Sequence, residues 1–159
     1  MTEPSTRQHF SAALFDLLDE TFDTHHGLFL DRGTSLFETL ESVTAEEASR
    51  PVSTSCASIA AQVNHVIVYL DVLTRSVQGE EVGKVDWDEA WRIGPVTGEA
   101  WTDLRVRLRA QANRTIAVLK GIERWEGEDE VYGAMAIAVH TAYHLGEIRQ
   151  ALCTIQNRS

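Results

Sequence analysis

The sequence predicts an all-α fold, specifically a four-helix bundle, on three observations. Apolar residues recur at helical spacing over four long segments. No stretch shows convincing strand alternation, and the only prolines, Pro4, Pro51 and Pro95, fall where helices can begin or end. Amphipathic helices without a sheet to cover must bury their apolar stripes against one another, and that is a bundle.

The first helix is read from about Thr6 to Leu30, where Phe10, Leu14, Leu17, Leu18, Phe22 and Leu28 recur, with a break near Gly27. A short helical piece follows from Ser35 to Glu41. Thr44 with Glu47 three residues on is a capping-box pattern that starts only a brief turn before Pro51. Ser55 is read as the N-cap of the second long helix, which ends by Gly79–Gly83. Its polar face is narrow, made of Asn64, Asp71, Arg75 and Gln78, so this helix is expected to be buried on most sides.

The segment from Lys84 to Gly98 carries Trp87, Trp91 and Pro95. So many rings suit a loop folded across one end of the bundle and lining a pocket better than a solvated linker. A third helix is expected from about Thr97 to Arg124, with Trp101, Leu104, Leu108, Ala112, Thr115 and Leu119 inward and Arg105, Arg107, Arg109 and Lys120 mostly outward. After an acidic turn, Glu126 to Glu130, the fourth helix is read from Val131 to about Gln156, with acids at the end where the helix dipole favours them.

Bulk properties narrow the function. A chain of 159 residues suits one domain, 1–159, able to bury a core without disulfides. Hydrophobic residues at 43% and charged residues at 24% are ordinary globular usage. A formal charge of −10 without a local Lys/Arg cluster disfavours nucleic acid as a partner. Cys56 and Cys153 stand far apart without a CxxC, against a disulfide framework or a thiolate zinc site. With no signal-peptide pattern at the start and no apolar run of membrane-spanning length, a cytoplasmic protein off the membrane is expected.

The histidines carry the chemistry. On the fourth helix Ile137, His140, His144, Ile148, Ala151 and Ile155 fall within roughly 80° of one another, so both histidines face inward. An i,i+4 pair sets two imidazoles side by side, within reach of one ion at about 2.0–2.1 Å. His65, on the core side of the second helix near Ala61, Tyr69 and Val72, is the candidate third ligand. Any one of these rings alone would read as a hydrogen-bonded core histidine. Three together are costly to bury unless something takes up their lone pairs, and one shared ion does so. Three imidazoles suit Zn²⁺ or Ni²⁺ and leave coordination positions open for substrate or water.

Glu147, one turn after His144 and on the side of His140, is the candidate catalytic residue, as a base or as a hydrogen-bond partner of a ligand ring; an ordinary contact between helices is the competing reading. His9 reads as surface, and His25 and His26 flank the break at Gly27 outside the site. Cys56 is too far along its helix from His65 to share the ion, and Cys153 reads as a packing residue. Paired Glu-x-x-His motifs of a di-iron site, the HExxH of a zinc protease, a Gly-rich phosphate loop and a GxSxG elbow are all missing from the sequence.

Ser58-Ile59 leading to Val63-Asn64-His65, Trp101 at the start of the third helix, and the run from His140 through His144 to Gln150 resemble the DinB-like (DinB/YfiT) superfamily. The likeness covers most of the chain, and its final motif is the most specific part. It implies a four-helix bundle with a metal site of three histidines, matched here by His65, His140 and His144, and a homodimer. It also implies a small-molecule substrate and a transferase that adds or removes a low-molecular-weight thiol, with a metal-dependent hydrolase or a non-catalytic metal-binding stress protein as the alternatives.

Overall fold

In a computed structural model of the chain, residues 6–125 and 127–157 are described; Pro4 and Glu126 of the sequence reading lie outside them. Seven helices form and no strand occurs among the described residues: α1 (Thr6–Phe22), α2 (Leu36–Glu41), α3 (Ala45–Ser49), α4 (Ile59–Val77), α5 (Trp87–Trp91), α6 (Gly98–Lys120) and α7 (Glu128–Gln156). The all-α expectation holds, with four long helices and three short ones. No helix among the described residues is long and apolar enough to cross a membrane.

Helix α4 lies at the centre, packed against both α6 and α7, while α1 packs on α7. Its narrow polar face explains the placement: eleven of its 19 residues are buried, and Asn64, Asp71, Arg75 and Gln78 are not among them. The inward side of α6 is the predicted one, Trp101, Leu104, Leu108, Ala112, Thr115 and Leu119. Of the arginines expected to face outward, Arg107 is exposed but the Arg109 guanidinium sits over the Phe37 ring and pairs with Asp23. Between α4 and α6 the buried hydroxyls of Thr74 and Thr115 meet at 2.8 Å. This pairing keeps two polar groups from being stranded in the core.

Four boundaries differ from the sequence reading. Helix α1 stops at Phe22 instead of Leu30, because the chain turns at Gly27 (φ 77°) and the amides that follow bond to a side chain. The fully buried Glu20 carboxylate accepts N–H groups of Gly27 and Leu30 at 3.1 Å and of Leu28 at 2.9 Å. Burial by itself would raise the pKa of this carboxyl, but the backbone donors of Leu30, Leu28, Phe29 and Gly27 outweigh it and hold the group below its usual range.

Helix α4 is capped by Ser58, whose hydroxyl accepts from the Ala61 amide, and not by Ser55, which bonds to Ser53 in the preceding turn. Helix α6 ends at Lys120 rather than Arg124, closed by Gly121, while α7 begins at Glu128 and so takes Glu128, Asp129 and Glu130 of the expected turn into its first turn. The segment read as a loop contains α5, started by Asp86 accepting from the Glu89 amide. The Asn64 amide donates to the Ala90 carbonyl at 2.9 Å, which fixes α5 across α4 one residue before His65.

Candidate metal centre

Two helices and one short cap build the site. Helix α4 presents Gln62, His65 and Tyr69 at spacings of three and four, so they share a face. Helix α7 presents His140 and His144 in the same way, and α5 adds Trp87 and Trp91 from above. The three histidines come together as the sequence predicts: each offers a ligand nitrogen, and these nitrogens lie within 4.8 Å of one another. His65 and His144 are buried and His140 is half-buried.

The Nε2 atoms of His65 and His140 are 3.1 Å apart. Two nitrogens each about 2.0–2.1 Å from a common ion would be about 2.8–3.4 Å apart for bond angles between octahedral and tetrahedral. The spacing fits a shared ion. The third ring has its tautomer set: His144 Nδ1 is 2.9 Å from Gln62 Oε1, which can only accept, so Nδ1 carries the proton and Nε2 the lone pair. His65 Nδ1 and His140 Nδ1 are buried without a hydrogen-bond partner. Of the three rings, His144 is therefore the one whose far nitrogen is held by a side chain, while the other two are fixed by their ring contacts.

All three rings are held neutral. Burial first, and then the neighbouring His144, pull His65 down to about 4. Burial, His144 and His65 pull His140 down to about 3. His144 is also lowered, by burial, with Glu147 opposing. Near neutral pH the nitrogens therefore carry lone pairs, as metal ligation needs.

Stacking fixes the ring planes. His140 lies on Tyr69 with centroids 3.4 Å apart and planes 3° from parallel, and His65 lies on Trp91 at 3.9 Å and 14°. Glu147 touches His144 and not His140: its Oε2 is 3.3 Å from His144 Nδ1, and its Oε1 accepts from the Tyr143 hydroxyl at 2.7 Å. That hydrogen bond, with the carboxylate charge behind it, raises the Tyr143 phenol above its usual range. A groove of 710 Å³ runs past these groups, lined by Gln62, Trp91, Tyr143 and Glu147 together with the turn that carries Cys56.

A family model for the DinB superfamily matches residues 28–148, well over half of the chain. The chain belongs to the DinB superfamily. The matched stretch includes all three histidines and Glu147. The searches of curated proteins and of solved structures returned no match. This DinB-superfamily chain therefore pairs an all-helical fold with three histidines that could hold a metal ion.

The remaining candidates fall elsewhere. His9 is exposed, and His26 pairs with Asp19 at 2.6 Å. Cys153, expected to pack, is exposed, and Cys56 is exposed in the turn before α4. Gln62 and Tyr143 were not singled out from the sequence. The available signal was spacing, since Gln62 precedes His65 by three residues and Tyr143 precedes Glu147 by four.

Proposed function

We propose that this DinB-superfamily protein is a metal-dependent transferase that holds one Zn²⁺ or Ni²⁺ on His65, His140 and His144 and acts on a low-molecular-weight thiol and a small-molecule substrate. The observation that carries the reading is the convergence of three neutral imidazoles beside a groove large enough for a small molecule. A divalent ion held there would supply Lewis acidity, which lowers the pKa of a thiol or a water.

The chain's own residues have separable tasks. Gln62 keeps the proton of His144 on Nδ1, so that ring always faces the site with its lone pair. Tyr69 and Trp91 hold the planes of His140 and His65, and Trp91 also walls the groove against water. Glu147 is the proposed catalytic residue: it lines the groove, and its carboxylate can take up the proton that the thiol gives off. Its contact with His144 Nδ1 makes it a support for that ring as well. A homodimer belongs to the same proposal.

The test is optical. A small thiol such as 2-mercaptoethanol, added to Co²⁺-substituted protein, is expected to give a sulfur-to-metal charge-transfer band in the near ultraviolet. The band is expected to persist well below the ordinary thiol pKa of about 8.5 and to be lost in His65→Ala. The Cys56→Ser and Cys153→Ser variants are expected to keep it. If no thiol perturbs the spectrum and an ester or amide is turned over at a metal-dependent rate, the protein is a hydrolase instead. If neither happens, the transferase reading fails in favour of a binding protein.

A further inference from the structure

On α6, away from the histidines, Arg105 carries a buried Nε–H that has no hydrogen-bond partner. Its Nη1 donates to the Leu40 carbonyl at 3.4 Å, longer than the usual range of about 2.7–3.2 Å. Among the described residues no carboxylate pairs with it. That is unexpected in a chain with 24 acidic residues against 14 basic ones, where most guanidinium groups can find an acid. The side chain is placed from behind: its guanidinium carbon is 5.8 Å from the centre of the Trp101 ring, and the Trp101 indole N–H is anchored on the Val43 carbonyl at 2.8 Å.

Arg105 lines a groove of 260 Å³ between α2 and α6, whose walls include Phe37, Val106, Arg109 and Glu41. The Arg109 guanidinium sits 3.3 Å from the centre of the Phe37 ring and gives one of its N–H groups to Asp23, which leaves further donors on the same group. No residue lines both this groove and the one beside the candidate metal centre. We propose that the groove between α2 and α6 binds a small organic monocarboxylate with an apolar body of about the size of benzoate.

Each part of that ligand answers a feature of the groove. A carboxylate is the planar, two-oxygen acceptor that a guanidinium fork matches, and a turn of the Arg105 head from the Leu40 carbonyl toward the groove brings Nε–H and an Nη–H to it together. Phe37 and Val106 offer an apolar wall, and Val106, 62% exposed, gains cover from an apolar body. The volume lies below the roughly 300–1,000 Å³ of pockets for drug-sized ligands, so one ring or a short chain fills it. Glu41 is exposed and forms no ion pair with either arginine. Its charge in the groove disfavours a dianion, which is why the ligand is a monocarboxylate.

Benzoate titrated into the intact ¹⁵N-labelled chain tests it by NMR. The Arg105 Nε–H signal and the backbone amides of residues 102–109 are expected to shift, with a midpoint of about 1 mM or below. Reading the shifts residue by residue separates this groove from any carboxylate taken up at the histidines of α4 and α7. Benzamide, of the same shape without the charge, and inorganic phosphate are expected to leave these signals in place. Arg105→Gln is expected to weaken benzoate binding about 10-fold or more. Glu41→Gln, at an exposed position, is expected to tighten it about 3-fold. Unmoved α6 signals, or benzamide binding as tightly as benzoate, overturn the site. So does an Arg105→Gln protein with wild-type circular dichroism and wild-type affinity, or a Glu41→Gln protein that binds no more tightly than wild type. Phosphate binding as tightly as benzoate overturns the ligand class.

Discussion

His65 and His140 are 75 positions apart in the chain, yet their Nε2 atoms lie 3.1 Å from one another on facing sides of α4 and α7. Each ring is also clamped from behind by an aromatic partner, Trp91 for His65 and Tyr69 for His140. The stacking on both sides fixes the planes of the pair, which is what a preorganised ligand set requires.

Metal content is the first expected outcome. Protein purified without chelator or tag is expected to carry about one divalent first-row ion per chain by elemental analysis, as three imidazoles in an open site imply. His140→Ala and His144→Ala are each expected to lose most of it. Unchanged content in both variants would place the ion elsewhere.

The support of His144 gives a graded effect. Gln62→Leu removes the acceptor that fixes its tautomer, and metal affinity is expected to drop about 10–100-fold while the helical spectrum is unchanged. Competition with a coloured chelator measures it. An affinity equal to wild type would show that Gln62 does not orient the ring.

Acid should weaken the metal-free protein in a defined window. His65 and His140 have folded-state values of about 4 and about 3, below the ordinary 6.5, so between these limits the unfolded chain binds more protons than the folded one. Stability is therefore expected to be fully present above about pH 6.5 and to be lost as pH falls toward 4 and then 3. Urea unfolding of chelator-treated protein at stepped pH checks the sign. In the His65→Ala/His140→Ala double variant this part of the slope is expected to flatten.

Glu20 should govern the end of α1. Glu20→Ala strands several amides of the turn at Gly27–Leu30, and their hydrogen exchange is expected to accelerate together with a clear fall in Tm. If those amides exchange at the wild-type rate, the carboxylate does not hold the turn.

Core and surface should respond differently to truncation. Ile137→Ala, at a fully buried position one turn before His140, is expected to cost about 2–5 kcal/mol in urea unfolding. Val106→Ala, on the exposed side of α6, is expected to stay within about 0.5 kcal/mol of wild type.

Much of this protein is local and therefore legible in its sequence. Helical periodicity is a property of neighbouring residues, so the inward side of α6 from Trp101 to Leu119 and the shared stripe of His140 and His144 could be read directly. His65 could be placed on the core side of its helix for the same reason. The capping box of Thr44 and Glu47 needs only three residues of separation, and it forms as expected.

What depends on distant groups needed the tertiary structure. The end of α1 is decided by Glu20 reaching residues seven to ten positions on, and a periodic pattern that continued to Leu28 could not reveal that competition. The aromatic segment becomes a short helix over His65 because Asn64 holds the Ala90 carbonyl. Glu147 meets His144 rather than His140 because its rotamer is set by Tyr143 as well as by helix phase. Sequence alone determined which faces the three histidines occupy, because helix phase is fixed by the chain's own geometry. Only the tertiary structure decided that those faces meet, because the packing of α4 against α7 follows from the summed burial of residues far apart in the chain.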